Sequence, residues 1–187
     1  MKIYIRHTEK AYNNNHKGVR YYYDPGITAA GAVLAGQKFN MLLDEYGMPK
    51  EIIVSPYVRT RETADILIEI IRKRIECVRQ DKEDEEIYMP IVTIEPLVGE
   101  YLGNQKHRTM EYLINGLHPD TLNYGPIIGE TRDYYHKRVN YSLPDDCWVI
   151  THGMFLSTTA KGLGTRINDV ESCAALVVDN DGKMVLL

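Results

Sequence analysis

Short apolar runs rich in β-branched residues alternate along the chain with longer amphipathic stretches. The runs KIYI, EIIV, IVTI, WVIT and ALVV are each bounded by polar or turn residues, which is typical of strands. Between them, residues 28–46, 59–79 and 153–163 have apolar positions at helical spacing. Strands that alternate with helices predict an α/β fold, here a three-layer α/β/α sandwich with a mostly parallel central sheet.

One part of the chain departs from this alternation. From about residue 97 to 144 the pattern changes to short helices with many tyrosine, glycine and proline residues, and we expect a small insertion that covers one end of the sheet. The length of 187 residues and the apolar fraction of 44% fit a single domain spanning 1–187. A domain of this size can bury roughly 70% of the surface of its unfolded chain.

The charge balance and the cysteines narrow the classes of function. A net charge of -4 argues against a nucleic-acid-binding protein, because such a protein needs clustered cations to replace the counterions of the phosphate backbone. Cys77, Cys147 and Cys173 lack disulfide or metal-type spacing and fit reduced thiols, and the last two lie in apolar stretches expected in the core. The sequence has no signal-peptide pattern and no apolar stretch near about 18 residues, so we expect a soluble, cytoplasmic protein that does not bind membranes.

Two strands of the predicted sheet end beside a histidine. The first strand ends in Arg6 and His7, and the run WVIT leads directly to His152. In open α/β sheets ligands bind at the carboxyl ends of the strands, so both histidines are expected at one crevice. A third strand is followed by a Ser-Pro step and then by Arg59 in the first turn of a helix, where a cation is electrostatically misplaced unless an anion arrives. The pattern therefore indicates a phosphate site.

These residues belong to motifs that resemble those of the histidine phosphatase superfamily, also called the phosphoglycerate mutase-like family, over nearly the whole chain. The family's Arg-His opening, Ser-Pro-x-x-Arg-x-x-x-Thr-Ala block, Gly-Glu-Ser/Thr block with a later Arg-Val, and second His-Gly occur in family order. They are matched here by Arg6, His7, Ser55, Pro56, Arg59, Thr63, Ala64, Gly129, Glu130, Thr131, Arg138, Val139, His152 and Gly153. The resemblance implies a phosphatase that hydrolyses phosphomonoesters without a metal or another cofactor.

The resemblance also implies roles for the two histidines and the two arginines. His7 would be the nucleophile that forms a phosphohistidine, and Arg6 and Arg59 should lower its pKa and keep the imidazole neutral. His152, protonated when phosphate is bound, would join both arginines around the phosphoryl oxygens, since a guanidinium can hold two oxygens at once.

The acid that serves the leaving group is a choice between two carboxylates. Glu100 in the stretch PLVGEYLG resembles the family's acid, although Leu97 stands three residues before it rather than two. Glu100 would protonate the leaving oxygen and then activate water. Glu95 is the alternative acid.

Other positions near the motifs carry further phosphate-binding predictions. Asn13 follows His7 by six residues, where many family members have an Asn in the phosphate pocket, although an ordinary loop fits as well. Thr8 replaces the Gly that usually follows the nucleophile, and its hydroxyl could contact the phosphate or its side chain could restrict the pocket. Gly153 is assigned to the phosphate site, whereas Thr28 is interpreted as a helix N-cap rather than a ligand.

Three functions share such a site. The favoured one is a phosphatase acting on a small phosphorylated substrate or on a phosphoprotein. A mutase must exclude water and hold a second phosphate, which in the family goes with a longer chain. A phosphate-dependent binding module would keep the pocket without turnover. The sequence names neither the substrate nor the oligomeric state.

Overall fold

The computed structural model describes residues 1–11, 25–81, 88–101, 131–139 and 142–187. All five predicted strands are present in it, and a sixth strand follows them. The strands are β1 (Lys2–Arg6), β2 (Glu51–Val54), β3 (Ile91–Ile94), β4 (Cys147–Thr151), β5 (Ala175–Val178) and β6 (Met184–Leu186).

The strands form one sheet in the order β3-β2-β4-β1-β5-β6. The four strands β3, β2, β4 and β1 pair in parallel. The prediction of a mostly parallel sheet was wrong, because β5 runs antiparallel to β1 and β6 runs antiparallel to β5. Strands β5 and β6 are joined by a tight turn in which the Asp179 N–H donates to the Lys183 carbonyl oxygen at 3.0 Å. Such a short connection permits only an antiparallel pair, so the sheet is mixed.

In the described ranges, four helices cover the two faces of the sheet and complete the predicted three layers. They are α1 (Ala29–Tyr46), α2 (Val58–Asp81), α3 (Arg132–Val139) and α4 (Gly153–Gly162). Side chains of α1 and α2 share one core with Ile3 and Ile5 of β1, whereas side chains of α3 and α4 share the other core with Tyr4. This division follows from the strand geometry, since successive side chains point to opposite faces.

The start of α1 is fixed by Thr28, as predicted. The Thr28 Oγ1 accepts a hydrogen bond from the Gly31 N–H at 2.9 Å, and the hydroxyl donates to the Glu9 carboxylate at 2.6 Å. At the other end Gly47 adopts a φ of 75°, a left-handed conformation that stops the helix. Helix α1 therefore begins and ends at residues whose local chemistry favours a boundary.

The burial of two cysteines agrees with the expectation that they lie in the core. The three cysteines are free, with Cys147 and Cys173 buried and Cys77 exposed. Across the part of the chain that the structure describes, no helix combines the length and the apolar character that crossing a bilayer requires. Most of the predicted covering segment, 97–144, lies outside the described residues.

Candidate active site

Three neighbouring parallel strands end at the same edge of the sheet and carry the predicted site residues there. Arg6 pairs with Thr151 in the β1–β4 ladder, and the next N–H, that of His7, donates to the Thr151 carbonyl oxygen at 2.9 Å. On the other side of β4, the Ser55 N–H donates to the Ile150 carbonyl oxygen at 3.0 Å. The backbone therefore delivers the residues that follow β1, β2 and β4 to one place.

The two histidines meet at this edge. The ring centroids of His7 and His152 lie 5.3 Å apart, with the ring planes inclined at 67°. Their exposed fractions are 2% and 0%, and Arg59, also 2% exposed, lies against His152. The convergence of two imidazoles and a guanidinium around one small space, predicted from motifs far apart in the chain, is present in the structure.

His7 is held in one tautomer. Its Nδ1 lies 2.7 Å from the Thr8 carbonyl oxygen, and because a carbonyl oxygen only accepts, Nδ1 carries the hydrogen and Nε2 keeps the lone pair. Burial lowers the pKa of His7 to about 3, and the positive charge of Arg59 contributes next. Arg6 contributes to the same shift, as expected, but burial is the larger cause. The imidazole is therefore neutral at physiological pH.

His152 is also neutral and has a defined orientation. Its Nδ1 lies 3.3 Å from Nη2 of Arg59, which only donates, so Nδ1 accepts. Its Nε2–H then donates to the Ser55 Oγ, 2.9 Å away. Burial, followed by the charge of Arg59, holds the pKa of His152 well below its usual value. The protonated form expected with bound phosphate stays a prediction.

Ser55 is a site residue whose contact the sequence did not predict. Its position in the Ser-Pro block was interpreted only as the end of a strand and as part of the family motif. The side chain is fully buried and orients the imidazole of His152. The sequence did contain a signal for this contact. Ser55 directly follows a strand that was predicted to end in the crevice, so its hydroxyl can reach a side chain at the end of the neighbouring strand.

Glu100, and not Glu95, faces the site. The Arg59 guanidinium donates to the Glu100 carboxylate, whose Oε2 also lies 3.8 Å from Nδ1 of His152. The Glu95 carboxylate instead accepts a hydrogen bond from the Leu97 N–H at 2.8 Å and caps a short 3-10 turn, Pro96–Val98. Because the Glu100 side chain is 35% exposed, it can reach both the buried guanidinium and an incoming ligand.

Arg6 and Gly153 lie against each other at the amino end of α4. One guanidinium N–H of Arg6 donates to the Val170 carbonyl oxygen, while its buried Nε has no hydrogen-bond partner among the described residues. A Cβ added to Gly153 would stand 3.5 Å from the Cδ and Nε of Arg6. His152, at the N-cap position, makes no side-chain capping bond. The first N–H groups of α4, together with the helix dipole, favour an anion beside Arg6.

Of two further predicted phosphate ligands, Thr8 is hydrogen-bonded elsewhere and Asn13 lies outside the described residues. The Thr8 hydroxyl donates to the Gly31 carbonyl oxygen at 2.7 Å, and the Thr8 N–H donates to the Thr63 hydroxyl at 3.2 Å. These bonds tie the end of β1 to α1 and α2, so the anion site proposed below does not use the Thr8 hydroxyl as a donor. Asn13 lies outside the described residues, as do Gly129 and Glu130 of the third motif.

Arg138 holds the segment that carries Glu100. Its guanidinium donates to the carbonyl oxygens of Leu97, Gly99 and Glu100, the last two at 3.0 and 3.2 Å, and its exposed fraction is 5%. The guanidinium also lies 4.3 Å from the centroid of the Tyr135 ring. The sequence marked Arg138 only as part of a motif, and its contact with the acid segment depends on how α3 packs.

The described residues include no group of three or more His, Cys, Asp or Glu side chains that could hold a metal ion. At this edge of the sheet the described residues include Arg6 and Arg59, with the Glu100 carboxylate in contact with Arg59, and the charges of Lys10 and Arg138 also help to lower the pKa of His152. Chemically, this arrangement can bind a tetrahedral anion, offer it a neutral imidazole nitrogen, and supply a carboxyl group for proton transfer.

Comparison with solved structures finds proteins of the same fold. The chain is similar to the ecdysone phosphate phosphatase from Bombix mori in complex with tungstate, with a TM-score of 0.62 and 18% identity over 98% of this chain and 91% of the other. It is similar to the protein histidine phosphatase SixA complexed with tungstate, with a TM-score of 0.53 and 13% identity over 100% and 93% of the two chains. For a phosphoglycerate mutase from Thermus thermophilus the TM-score is 0.52, with 18% identity over 98% and 95%.

No family model matches the sequence, and no curated protein matches it. At identities of 13% to 18%, the likeness to the solved structures is a likeness of fold. The roles of individual residues in this chain therefore rest on the geometry described above.

The lowered pKa of His7 predicts how stability depends on pH. Below about pH 6.5 the unfolded chain protonates this histidine, whereas the folded chain does so only near pH 3. Its contribution to stability is therefore fully present above pH 6.5 and is lost as the pH falls, by at most about 1.4 kcal/mol per pH unit. Urea unfolding between pH 7 and pH 4 should show a shallower loss of unfolding free energy for His7→Gln than for wild type.

His136→Gln controls for the removal of one imidazole outside the site. Equal slopes of unfolding free energy against pH for wild type and His7→Gln would contradict the assignment of His7 as a buried neutral imidazole.

Proposed function

We propose that this chain, which has the fold of the histidine phosphatase superfamily, is a phosphatase that hydrolyses phosphomonoesters through a phosphohistidine on His7. The observation that carries the proposal is the meeting of two buried, neutral imidazoles with the buried guanidinium of Arg59, at a centroid separation of 5.3 Å between the rings. A phosphoryl group is a tetrahedral dianion, and guanidinium groups such as those of Arg59 and Arg6 bind its oxygens through charge-assisted hydrogen bonds.

In the first step, Nε2 of His7 attacks phosphorus and the bond from phosphorus to the leaving oxygen breaks. The hydrogen bond from Nδ1 to the Thr8 carbonyl oxygen aims the lone pair of Nε2 and stabilises the imidazolium character that the ring gains during attack. Arg59, Arg6 and the amino end of α4 stabilise the charge on the equatorial oxygens. Loss of one such donor typically costs about 2.7–4 kcal/mol of barrier.

Proton transfer is assigned to Glu100. The carboxyl group gives a proton to the leaving oxygen in the first step and takes one from the water that attacks phosphohistidine in the second. Glu100 is suited to both because it combines partial exposure with contact to Arg59, on the side of the site where a leaving group meets solvent. Arg138 acts through Glu100 as a positioning residue, since it holds the backbone on both sides of that side chain.

The named neighbours support this chemistry by analogy. Two of them are complexes with tungstate, a tetrahedral oxyanion of the same geometry as phosphate. One is named an ecdysone phosphate phosphatase and the other a protein histidine phosphatase, so we propose a phosphorylated molecule as the substrate here too. We expect no metal requirement, because the guanidinium groups of Arg6 and Arg59 and the amino end of α4 already supply the positive charge that phosphoryl transfer needs.

Hydrolysis of p-nitrophenyl phosphate in the presence of a chelator tests the function directly. Wild type should release p-nitrophenol and, after quenching during turnover, carry an acid-labile, base-stable phosphoryl group. His7→Ala should lose more than about a thousandfold in kcat/KM and carry no label, since removing a nucleophile removes the covalent route. Lys183→Ala, a change at the opposite end of the sheet, is the control. Turnover without a labelled intermediate would reject the covalent mechanism, and no turnover would reject the phosphatase.

Glu100→Gln tests the acid. The variant should lose about tenfold to a hundredfold more kcat on phenyl phosphate than on p-nitrophenyl phosphate, because only the poorer leaving group depends on a donated proton. Glu95→Gln, which removes the other candidate carboxylate, should show no such preference. Equal losses of Glu100→Gln on both substrates would mean that Glu100 is not the acid.

Arg138→Lys tests whether positioning matters. Lysine keeps the charge but lacks the planar guanidinium that contacts three carbonyl oxygens, so the backbone around Glu100 should be held less firmly in place. We expect a fall in kcat that is larger for phenyl phosphate than for p-nitrophenyl phosphate, with little change in the inhibition constant of tungstate. Arg72→Lys on the exposed surface of α2 is the matched control. A uniform loss on both substrates would indicate a structural role only.

A further inference from the structure

A groove between α3 and α4 is lined in part by residues that neighbour the proposed active site in the chain. Its cavity volume is about 700 Å³, and its lining includes Tyr101, Arg132, His136, Met154, Lys161 and Arg166. Tyr101 and Met154 directly follow Glu100 and Gly153 in the chain, so the wall of the groove starts one residue from the site. The volume is within the range of small-molecule pockets.

The groove between α3 and α4 differs from other cavities of the structure in its positive charge. Arg132 and His136 come from α3, Lys161 comes from the last turn of α4, and Arg166 comes from the loop after α4. Among the described residues, no carboxylate lines it. Three other cavities among the described residues each include at least one carboxylate: Asp145 and Asp179 in one, Glu62 and Asp65 in another, and Asp146 in the third. A cationic wall is therefore a local feature of a chain whose net charge is -4.

The cations of the groove are not used to stabilise the fold. Within the described part of the chain, none of Arg132, Lys161 and Arg166 forms an ion pair, and all three are exposed. Like charges gathered in one cleft repel each other, and a cleft lined by one sign of charge concentrates ligands of the opposite sign. The arrangement is favourable once an anion occupies it.

We propose that this groove binds a second anionic group, a phosphate or carboxylate carried by the leaving group of a small phosphomonoester substrate. The inference rests on the proposed function and names the substrate class for it. Met154 and Lys161 are seven residues apart on α4, a rise of about 10 Å. The second anion therefore lies on the order of 10 Å from the reacting phosphorus, so the substrate is an extended molecule with charges at both ends.

A series of α,ω-alkanediol bisphosphates of increasing length measures this distance. Each bisphosphate is compared with the alkyl monophosphate of the same length, after correction for the twofold statistical advantage of two phosphates. We expect kcat/KM to favour the bisphosphate by about tenfold at one optimal length, a difference of about 1.4 kcal/mol. The advantage should shrink as salt is added, because the cations are exposed.

The double variant Lys161→Glu/Arg166→Glu should remove the advantage of the bisphosphate and leave p-nitrophenyl phosphate hydrolysis unchanged. Lys183→Glu, a charge reversal at the far end of the sheet, should leave both unchanged. An advantage that persists in the double variant would overturn the assignment of the groove, as would the absence of any bisphosphate advantage in wild type.

Two further measurements separate this inference from the function on which it rests. If wild type does not hydrolyse p-nitrophenyl phosphate, the proposed function fails. If it does, while bisphosphates and monophosphates bind the inactive His7→Ala variant with equal affinity in calorimetry, the groove proposal fails alone. A preference for an acidic phosphopeptide over every bisphosphate would also overturn it, because the occupant would then be a protein.

Discussion

Parallel pairing of β1, β4 and β2 is the constraint on which the rest of the structure depends. In this register the chain leaves all three strands at the same level, and the hydrogen bonds from His7 to Thr151 and from Ser55 to Ile150 carry the ladder one step beyond the strands. A slip of one residue would turn each side chain to the opposite face of the sheet. The position of His7 beside His152 is thus set by backbone hydrogen bonds rather than by the side chains themselves.

The same edge has to accommodate charge in a place that water hardly reaches. Arg59 is a buried cation, and removal from water is costly for a charge that lacks a partner. The Glu100 carboxylate offsets this cost by forming an ion pair with Arg59. The two imidazoles have lowered pKa values, so neither adds a further positive charge. Burial is the dominant cause of the lowered pKa for both histidines, so the core that packs around the site also keeps the proposed nucleophile neutral.

The sequence was sufficient for features that depend on one segment at a time. Five of the strands, the helices α1, α2 and α4, the cap at Thr28, and the arrival of His7 and His152 at one edge follow from periodicity, from capping preferences and from the rule for parallel sheets. Strand β6 was missed because three residues, MVL, give too short a pattern. The antiparallel direction of β5 beside β1 was missed because it depends on pairing between distant segments.

Features that depend on distances between segments could not be predicted from the sequence. Which of Glu95 and Glu100 faces the site depends on a short 3-10 turn. Glu95 caps this turn with its carboxylate, whereas Glu100 follows the turn and faces the site. The contacts of Ser55 with His152, and of Arg138 with the backbone near Glu100, join elements whose relative positions no local pattern encodes. The hydrogen bond of the Thr8 hydroxyl could not be predicted for the same reason, because its acceptor is a carbonyl oxygen of α1.

The contact between Arg59 and Glu100 gives the site an internal occupant. A carboxylate oxygen already contacts the guanidinium that a phosphoryl oxygen would use in the proposed reaction, so a substrate would have to displace it. The displaced carboxylate would then be free to approach the leaving group, and its return to Arg59 would favour the release of inorganic phosphate. Under the proposed function, Glu100 would therefore neutralise Arg59 between turnovers and transfer a proton during them.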